Sequence, residues 1–137
     1  MQGFVDVHSH VVPSGDDGAA TVDEAIELCR IAFEAGTRVL FATPHAHADW
    51  DHFPRTAERR DLYEQAFPLV RDAVAAWGLD LRRGWEVYPS LVADGADPHG
   101  YVLEGTRAVL VEFPGWWLEV AAAVGLVADA ARNVERA

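Results

Sequence analysis

The sequence predicts an α/β fold in which helices pack outside a parallel sheet or barrel. Short apolar runs rich in β-branched residues alternate with longer segments of helical periodicity. Histidines and carboxylates follow the ends of several of these runs, where the loops of a parallel fold converge. Half of the 137 residues are hydrophobic, which is enough for one globular domain with a core.

The first third of the chain contains a complete strand, loop, helix and strand pattern. Residues 4–8 form an apolar run that ends in polar residues and a Pro-Ser-Gly sequence, so we predict a buried strand and a loop. Thr21 and Glu24 have the spacing of a capping box, and apolar residues then recur at helical spacing up to Gly36. Residues 39–42 predict a second strand, which stops at a Thr-Pro-His sequence.

The remaining elements continue the alternation. Residues 56–77 predict one long helix or two short ones, with Pro68 as a kink. Residues 79–87 predict a weaker strand. After a glycine-rich acidic connection, residues 108–113 predict a strand and residues 118–132 predict a helix rich in Ala and Val.

Composition and charge exclude several classes of protein. The net charge of −11, with 22 acidic and 11 basic residues, argues against nucleic acid or an anionic membrane as the main partner and is compatible with a cation site. The only cysteine, Cys29, allows no intrachain disulfide and is interpreted as a buried apolar residue. The N-terminus lacks a secretory pattern and no apolar run is long enough to cross a bilayer, so we expect a cytoplasmic protein without membrane insertion.

Each predicted strand carries a metal-binding residue type at or near its carboxyl end. A charged Glu inside an apolar strand costs several kcal/mol unless it is paired, so such residues require a cation or hydrogen-bond donors. Because the carboxyl ends of parallel strands meet at one edge, we predict one shared cation site. Its residues, in strand order, are His8 with His10, His45, Glu86 and Glu112.

The spacing of His8 and His10 favours metal binding, since alternate residues of an extended chain point the same way. Imidazole and carboxylate ligands together suit Zn, Mn or Fe. The alternative interpretation is a solvated strand end, with Asp6 and Asp17 as turn and capping residues, but the two glutamates favour a metal. Three further histidines are interpreted as exposed loop residues: His47, His52 and His99.

An ordered series of motifs resembles a known family. The strings DVHSH, PSGDDG, TVDEAIEL, VLFATPH, GWE and VLVEFP are similar to those of the bacterial protein-tyrosine phosphatases of the PHP (polymerase and histidinol phosphatase) superfamily. The resemblance runs from residue 4 to about residue 132. Such enzymes occur in capsule and exopolysaccharide gene clusters. The resemblance therefore implies hydrolysis of phosphotyrosine on the tail of an autophosphorylating tyrosine kinase.

The resemblance also implies a distorted (β/α)7 PHP barrel with two or three divalent ions, which would be Mn, Fe, Zn or Co. A metal-activated hydroxide would attack the phosphomonoester, so no side chain acts as nucleophile and the substrate-binding residues are left open. Asp6 would orient the ligands without binding metal. The motif positions imply six ligands: His8 and His10 on the first ion, Glu86 bridging the first and second, Glu112 on the second, and Asp17 with His45 on the third.

The resemblance implies further barrel segments beyond those that the sequence contains. We expect residues 1–137 to form a single PHP domain that holds only the N-terminal half to two-thirds of the barrel, with a gap between residues 132 and 133 and a missing C-terminal part. An incomplete barrel would gain from a partner, so association into homo-oligomers is left open. Two other functions are also left open: a histidinol-phosphate phosphatase or another PHP phosphoesterase, and a degenerate metal-binding module without catalysis.

Overall fold

The computed structural model describes residues 2–113, in which all paired strands are parallel. One sheet has the order β1-β2-β4 and the other has the order β3-β5-β6. The parallel α/β class predicted from the sequence is therefore confirmed, while the (β/α)7 barrel stays a prediction. The strands are β1 (Phe4–Asp6), β2 (Thr37–Ala42), β3 (His45–Ala46), β4 (Asp80–Arg83), β5 (Glu86–Val87) and β6 (Leu110–Val111).

The second sheet continues the first, because two strands of the first sheet lead directly into strands of the second. The chain passes from β2 to β3 and from β4 to β5 after only two residues each time. Backbone hydrogen bonds bridge both breaks, because Gly84 N–H donates to Ala42 O and Glu86 N–H donates to Pro44 O, each at 3.0 Å. The predicted strand over residues 79–87 is thus two strands. A Cβ on Gly84 would lie 2.6 Å from Leu103 Cδ2, so glycine permits the close packing at this break.

Within residues 2–113 the first strand lies at a sheet edge and is largely exposed, in contrast to the predicted buried strand. Among the described residues β1 pairs only with β2. Phe4 is 70% exposed and Val5 is 61% exposed. An apolar run alone indicated burial, but burial depends on what packs against the strand, which the local sequence does not contain.

Helix α1 (Val22–Glu34) begins at the predicted N-cap Thr21, and Glu24 reaches back one residue beyond it, a variant of the predicted capping box. Thr21 Oγ1 accepts a hydrogen bond from Glu24 N–H at 3.2 Å, and the Glu24 carboxylate accepts one from Ala20 N–H at 2.8 Å. Gly36 follows the helix with a φ of 107°, a conformation that L side chains rarely adopt. Cys29 is fully buried on this helix, as predicted.

Helix α2 (Ala57–Ala75) is one continuous helix that includes Pro68. Its buried face packs onto the sheet, where Leu40 and Leu81 are also buried. The glycine-rich connection contains a short helix α3 (Pro89–Ala93) and a 3₁₀ helix (Pro98–Tyr101), neither of which the sequence patterns predicted. Four residues of α2 are fully buried: Tyr63, Phe67, Val70 and Val74.

Several predictions fall on residues 114–137, outside the part that the structure describes. These are the helix over residues 118–132 and the gap between residues 132 and 133, which both stay predictions. Within residues 2–113, no helix combines the length and the apolar character needed to cross a bilayer.

Tyr63→Phe tests how firmly α2 is fixed to the sheet. The buried Tyr63 hydroxyl donates to Ala42 O at 3.0 Å, and its loss should lower the free energy of unfolding by about 1 kcal/mol. The measurement is urea denaturation followed by far-UV circular dichroism. Leu62→Ala is the control on the same helix, because Leu62 is 42% exposed and should cost less than about 0.5 kcal/mol. Equal effects of the two substitutions would contradict the stabilising role of the hydroxyl.

Candidate metal centre

The parallel sheet brings the predicted ligands to one edge. His45 pairs in register with Glu86, and Glu86 pairs on its other side with Leu110, two residues before Glu112. His8 and His10 follow β1 directly. The strands thus place residues far apart in sequence beside each other because their carboxyl ends point the same way.

The Glu86 carboxylate lies at the centre of this group. Its Oε1 is 3.0 Å from His8 Nε2, while its Oε2 is 3.1 Å from His10 Nε2 and 3.2 Å from His45 Nδ1. The side chain is only 6% exposed. Burial alone would raise the pKa of Glu86, but the hydrogen bond with His10 and the charges of His8 and His45 outweigh it and lower the pKa.

Asp16 fixes the orientation of the His10 ring. Its Oδ2 is 3.0 Å from His10 Nδ1 and accepts a hydrogen bond from His45 N–H at 3.0 Å, while Oδ1 accepts from Gly18 N–H at 3.2 Å. The Asp16 side chain is 1% exposed. Nε2 of His10 is thereby directed at Glu86, an arrangement typical of a carboxylate that orients a metal-binding histidine.

Asp16 was not among the predicted site residues, since the string DDG offers two equivalent carboxylates. Asp17, which the family motif selects, is 62% exposed. Its Oδ1 lies 3.2 Å from His10 Nδ1 and 3.5 Å from His45 Nε2, so it reaches the same histidines from the solvent side. Asp6 accepts a hydrogen bond from His8 N–H at 3.1 Å, a contact compatible with the orienting role predicted for it.

Glu112 and His47 extend the group on the other side of His45. Glu112 Oε2 is 3.5 Å from His45 Nδ1 and 3.7 Å from His47 Nε2. Burial and the charge of Glu86 raise the pKa of Glu112. The side chain of His47 is 7% exposed, so its interpretation as an exposed loop residue was wrong: the loop folds back over the strand ends. His52 and His99 are exposed, as interpreted.

Three overlapping sets of side chains have the geometry to hold a cation. Within each set the potential ligand atoms lie within 4.8 Å of one another, and His10 and His45 are shared between sets. His45 Nδ1 is buried and has no hydrogen-bond partner in the described part of the chain. Imidazole and carboxylate donors together fit divalent first-row ions. The sets are His8, His10 and Glu86; His10, Asp17 and His45; and His45, His47 and Glu112.

Buried charges of both signs accompany these ligands. Burial would lower the pKa of His10, but hydrogen bonds with Asp16 and Glu86 outweigh it and raise the pKa to about 10. Burial would raise the pKa of Asp16, but its bonds with His10 and the His45 N–H lower it. Arg59 crosses from α2 and donates to the backbone oxygens of Ser14 and His45 at 3.0 Å each. The guanidinium thus ties the loop that follows β1 to the helix.

The chain belongs to the family described as capsular polysaccharide synthesis, CpsB/CapC, whose model matches residues 4–122. The match includes all six described strands and all six predicted ligands. The sequence-based resemblance to the bacterial tyrosine phosphatases of capsule synthesis is thereby confirmed at the level of the family.

Two relatives illustrate the similarity. The tyrosine-protein phosphatase YwqE of Bacillus subtilis (strain 168) is 31% identical over 114 residues, which cover 81% of this chain and 43% of the relative. The tyrosine-protein phosphatase CpsB of Streptococcus agalactiae is 37% identical over 68 residues, which cover 50% of this chain and 26% of the relative. The chain thus spans less than half the length of these curated relatives.

Gly18→Ala tests the packing of the loop that follows β1. A Cβ at position 18 would lie 2.1 Å from the backbone oxygen of His10, which cannot move aside without disturbing the His10 ring. We expect a loss of about 1–3 kcal/mol in the free energy of unfolding. Gly100→Ala is the matched control, because a Cβ there meets no atom within 4 Å. The measurement is denaturant unfolding of both variants, and equal stability of the two would show that the close approach of Gly18 to His10 is unimportant.

The pH dependence of stability tests the His10 environment in the metal-free protein. Its raised pKa stabilises the fold fully below the ordinary value of 6.5, and this contribution is lost as the pH rises through about 10. The lowered pKa values of Asp16 and Glu86 stabilise the fold above their ordinary values of 3.8 and 4.5, and this contribution is lost on acidification. Other ionisable groups near the ring are His8, Asp17 and His45.

We therefore expect the free energy of unfolding in EDTA to be highest between about pH 5 and 6.5 and to fall toward pH 10. Urea denaturation across this range measures it. His10→Gln should flatten the decline between pH 6.5 and 10. The same decline in His10→Gln as in the unsubstituted chain would assign the effect to other groups.

Proposed function

We propose that this protein is a metal-dependent phosphomonoester hydrolase that acts on phosphotyrosine in proteins. The observation that carries the proposal is the buried Glu86 carboxylate, which lies within 3.2 Å of three imidazole nitrogens. A buried carboxylate surrounded by imidazoles offers the mixed oxygen and nitrogen donors that divalent first-row ions bind. The names of the relatives as tyrosine-protein phosphatases support the reaction class.

In this proposal the six predicted residues divide among two or three divalent ions. When bound, the ions supply Lewis-acid chemistry that activates water and neutralises negative charge developing on the phosphoryl oxygens. The residues of the chain hold these positions rigid, with Asp16 and Asp6 orienting the two histidines of the first set. The ligands are His8 and His10 for the first ion, Glu86 between the first and second, Glu112 for the second, and Asp17 with His45 for the third.

The single cysteine supports a mechanism without a cysteine nucleophile. Cys29 is fully buried in α1 and burial raises the pKa of its thiol to about 11. A phosphatase that attacks through sulfur needs an accessible thiolate in an electropositive setting. The only cysteine of this chain meets neither condition.

The proposed substrate is the phosphorylated tyrosine-rich tail of an autophosphorylating kinase of capsule or exopolysaccharide synthesis. The description of the family, capsular polysaccharide synthesis, supports this setting. The proposed ions are Mn, Fe, Zn or Co, because a site with both imidazole and carboxylate ligands can serve several divalent first-row ions. The cytoplasmic location, the PHP barrel and association into homo-oligomers stay predictions.

Turnover of phosphomonoesters tests the proposed function. The chain loaded with Mn²⁺ should release phosphate from a phosphotyrosine peptide faster than from histidinol phosphate, and EDTA should abolish release until Mn²⁺ is restored. Glu86→Gln should lower kcat/KM at least about 100-fold, because it removes the charge shared by three histidines. Glu27→Gln is the matched control, since Glu27 is exposed on α1 and pairs with Arg30.

Two outcomes would replace this proposal. Bound metal without hydrolysis of any phosphomonoester would assign the chain to the non-catalytic metal-binding class. A clear preference for histidinol phosphate would keep the chemistry and change the substrate.

A further inference from the structure

His47 is the buried ligand-type side chain that the six predicted ligands leave unused. Its ring is 7% exposed, and its Nε2 has no hydrogen-bond partner among residues 2–113. A buried imidazole in a folded core is normally satisfied by hydrogen bonds, because an unpaired polar atom costs about 1–3 kcal/mol. The burial of this imidazole without a partner for Nε2 therefore indicates that the nitrogen binds a ligand that is not part of residues 2–113.

The Nε2 edge of His47 faces the metal centre. Nε2 lies 3.7 Å from Glu112 Oε2, and the ring is 5.3 Å from the His45 ring, centroid to centroid. His45, His47 and Glu112 can each offer one donor atom within 4.8 Å of the others. A ligand set that contains imidazole as well as carboxylate suits Zn²⁺, Co²⁺ or Fe²⁺ better than Mg²⁺ or Ca²⁺.

The opposite edge of His47 faces a carboxylate held by its own partners. Asp51 Oδ2 lies 3.3 Å from His47 Nδ1. Ser90 Oγ donates to the same Asp51 oxygen at 2.9 Å and accepts from Ala48 N–H at 3.2 Å. A carboxylate behind one ring nitrogen is the usual means of directing the other nitrogen at a metal.

The ring itself is fixed in place. It stacks on Tyr88 at a centroid distance of 4.5 Å and an interplanar angle of 12°. Its backbone is tied to the following loop, because His47 N–H donates to Phe53 O and Arg55 N–H donates to His47 O, each at 3.1 Å. A ring held in this way can act as a preorganised ligand.

We propose that His47 is a metal ligand, which joins Glu112 on the second ion of the proposed function, and that Asp51 is its positioning residue. This inference rests on the proposed metal-dependent function and adds a ligand that the family motifs did not supply. It also explains how a side chain whose Nε2 lacks a hydrogen-bond partner in the described residues can be buried.

Cobalt binding to the 137-residue chain tests the proposal without reference to activity. Isothermal titration with Co²⁺ gives the number and affinity of sites, and the visible absorption of bound Co²⁺ reports the ligand set. We expect His47→Gln to weaken one class of site at least about 10-fold and to change that visible band. His52→Gln is the matched control, because His52 lies in the same loop but is exposed, and it should bind Co²⁺ like the unsubstituted chain.

Asp51→Asn separates a ligand role from a merely structural one. It keeps the His47 ring and removes the carboxylate behind it, so we expect a loss of affinity of about 10- to 100-fold at the same class of site. The unfolding midpoint in EDTA is measured for each variant. If His47→Gln does not fold, Asp51→Asn decides the question.

The outcomes distinguish this inference from the proposed function. Unchanged Co²⁺ affinity and absorption in His47→Gln, or in Asp51→Asn where that variant decides, would overturn the role of His47 even if the chain hydrolyses phosphotyrosine. Binding that depends on His47, in a chain that hydrolyses no phosphomonoester, would support the ligand and refute the phosphatase. No Co²⁺ binding by the unsubstituted chain would refute both.

Discussion

The burial of one carboxylate governs the arrangement of the strand ends. Glu86 lies on β5, between β3 and β6, where solvent hardly reaches it, so its charge requires positive or hydrogen-bonding partners on several sides. The fold supplies three imidazoles from two separate segments, His8 and His10 after β1 and His45 on β3. Asp16 holds the His10 ring, and Gly18 allows the loop after β1 to pass close to the His10 backbone. Arg59 connects the same loop to α2. The centre is consequently preorganised, which is what a metal site needs for affinity and for positioning of substrate.

The loop that follows β3 adds His47 to the ligand-type residues at the carboxyl ends of the strands. The segment after β3 returns so that Phe53 and Arg55 bond to the His47 backbone, and Asp51 lies behind its ring. Glu112 then has imidazoles on two sides, although burial and the nearby charge of Glu86 still raise its pKa. Additional positive charge at this point would relieve the repulsion between the two carboxylates.

Local sequence patterns were sufficient to predict the parallel α/β class, the capping of α1 and the burial of Cys29. They also predicted that the ligand-type residues at the strand ends would converge, namely His8, His10, His45, Glu86 and Glu112. These results follow from periodicity, from spacing, and from the rule that parallel strands end at one edge. The metal role of these residues, predicted from their positions at the strand ends and from the family motifs, stays a proposal, while the ordered motifs indicated the family correctly.

Long-range packing settled which neighbours each residue has, and this could not be predicted. The exposure of β1, the division of the third predicted strand at Gly84, the burial of Asp16 rather than Asp17, and the burial of His47 all depend on it. Local patterns give the direction of a side chain along its own element. They carry no information about which distant segment closes over it, because that depends on how the strands and loops pack together in space.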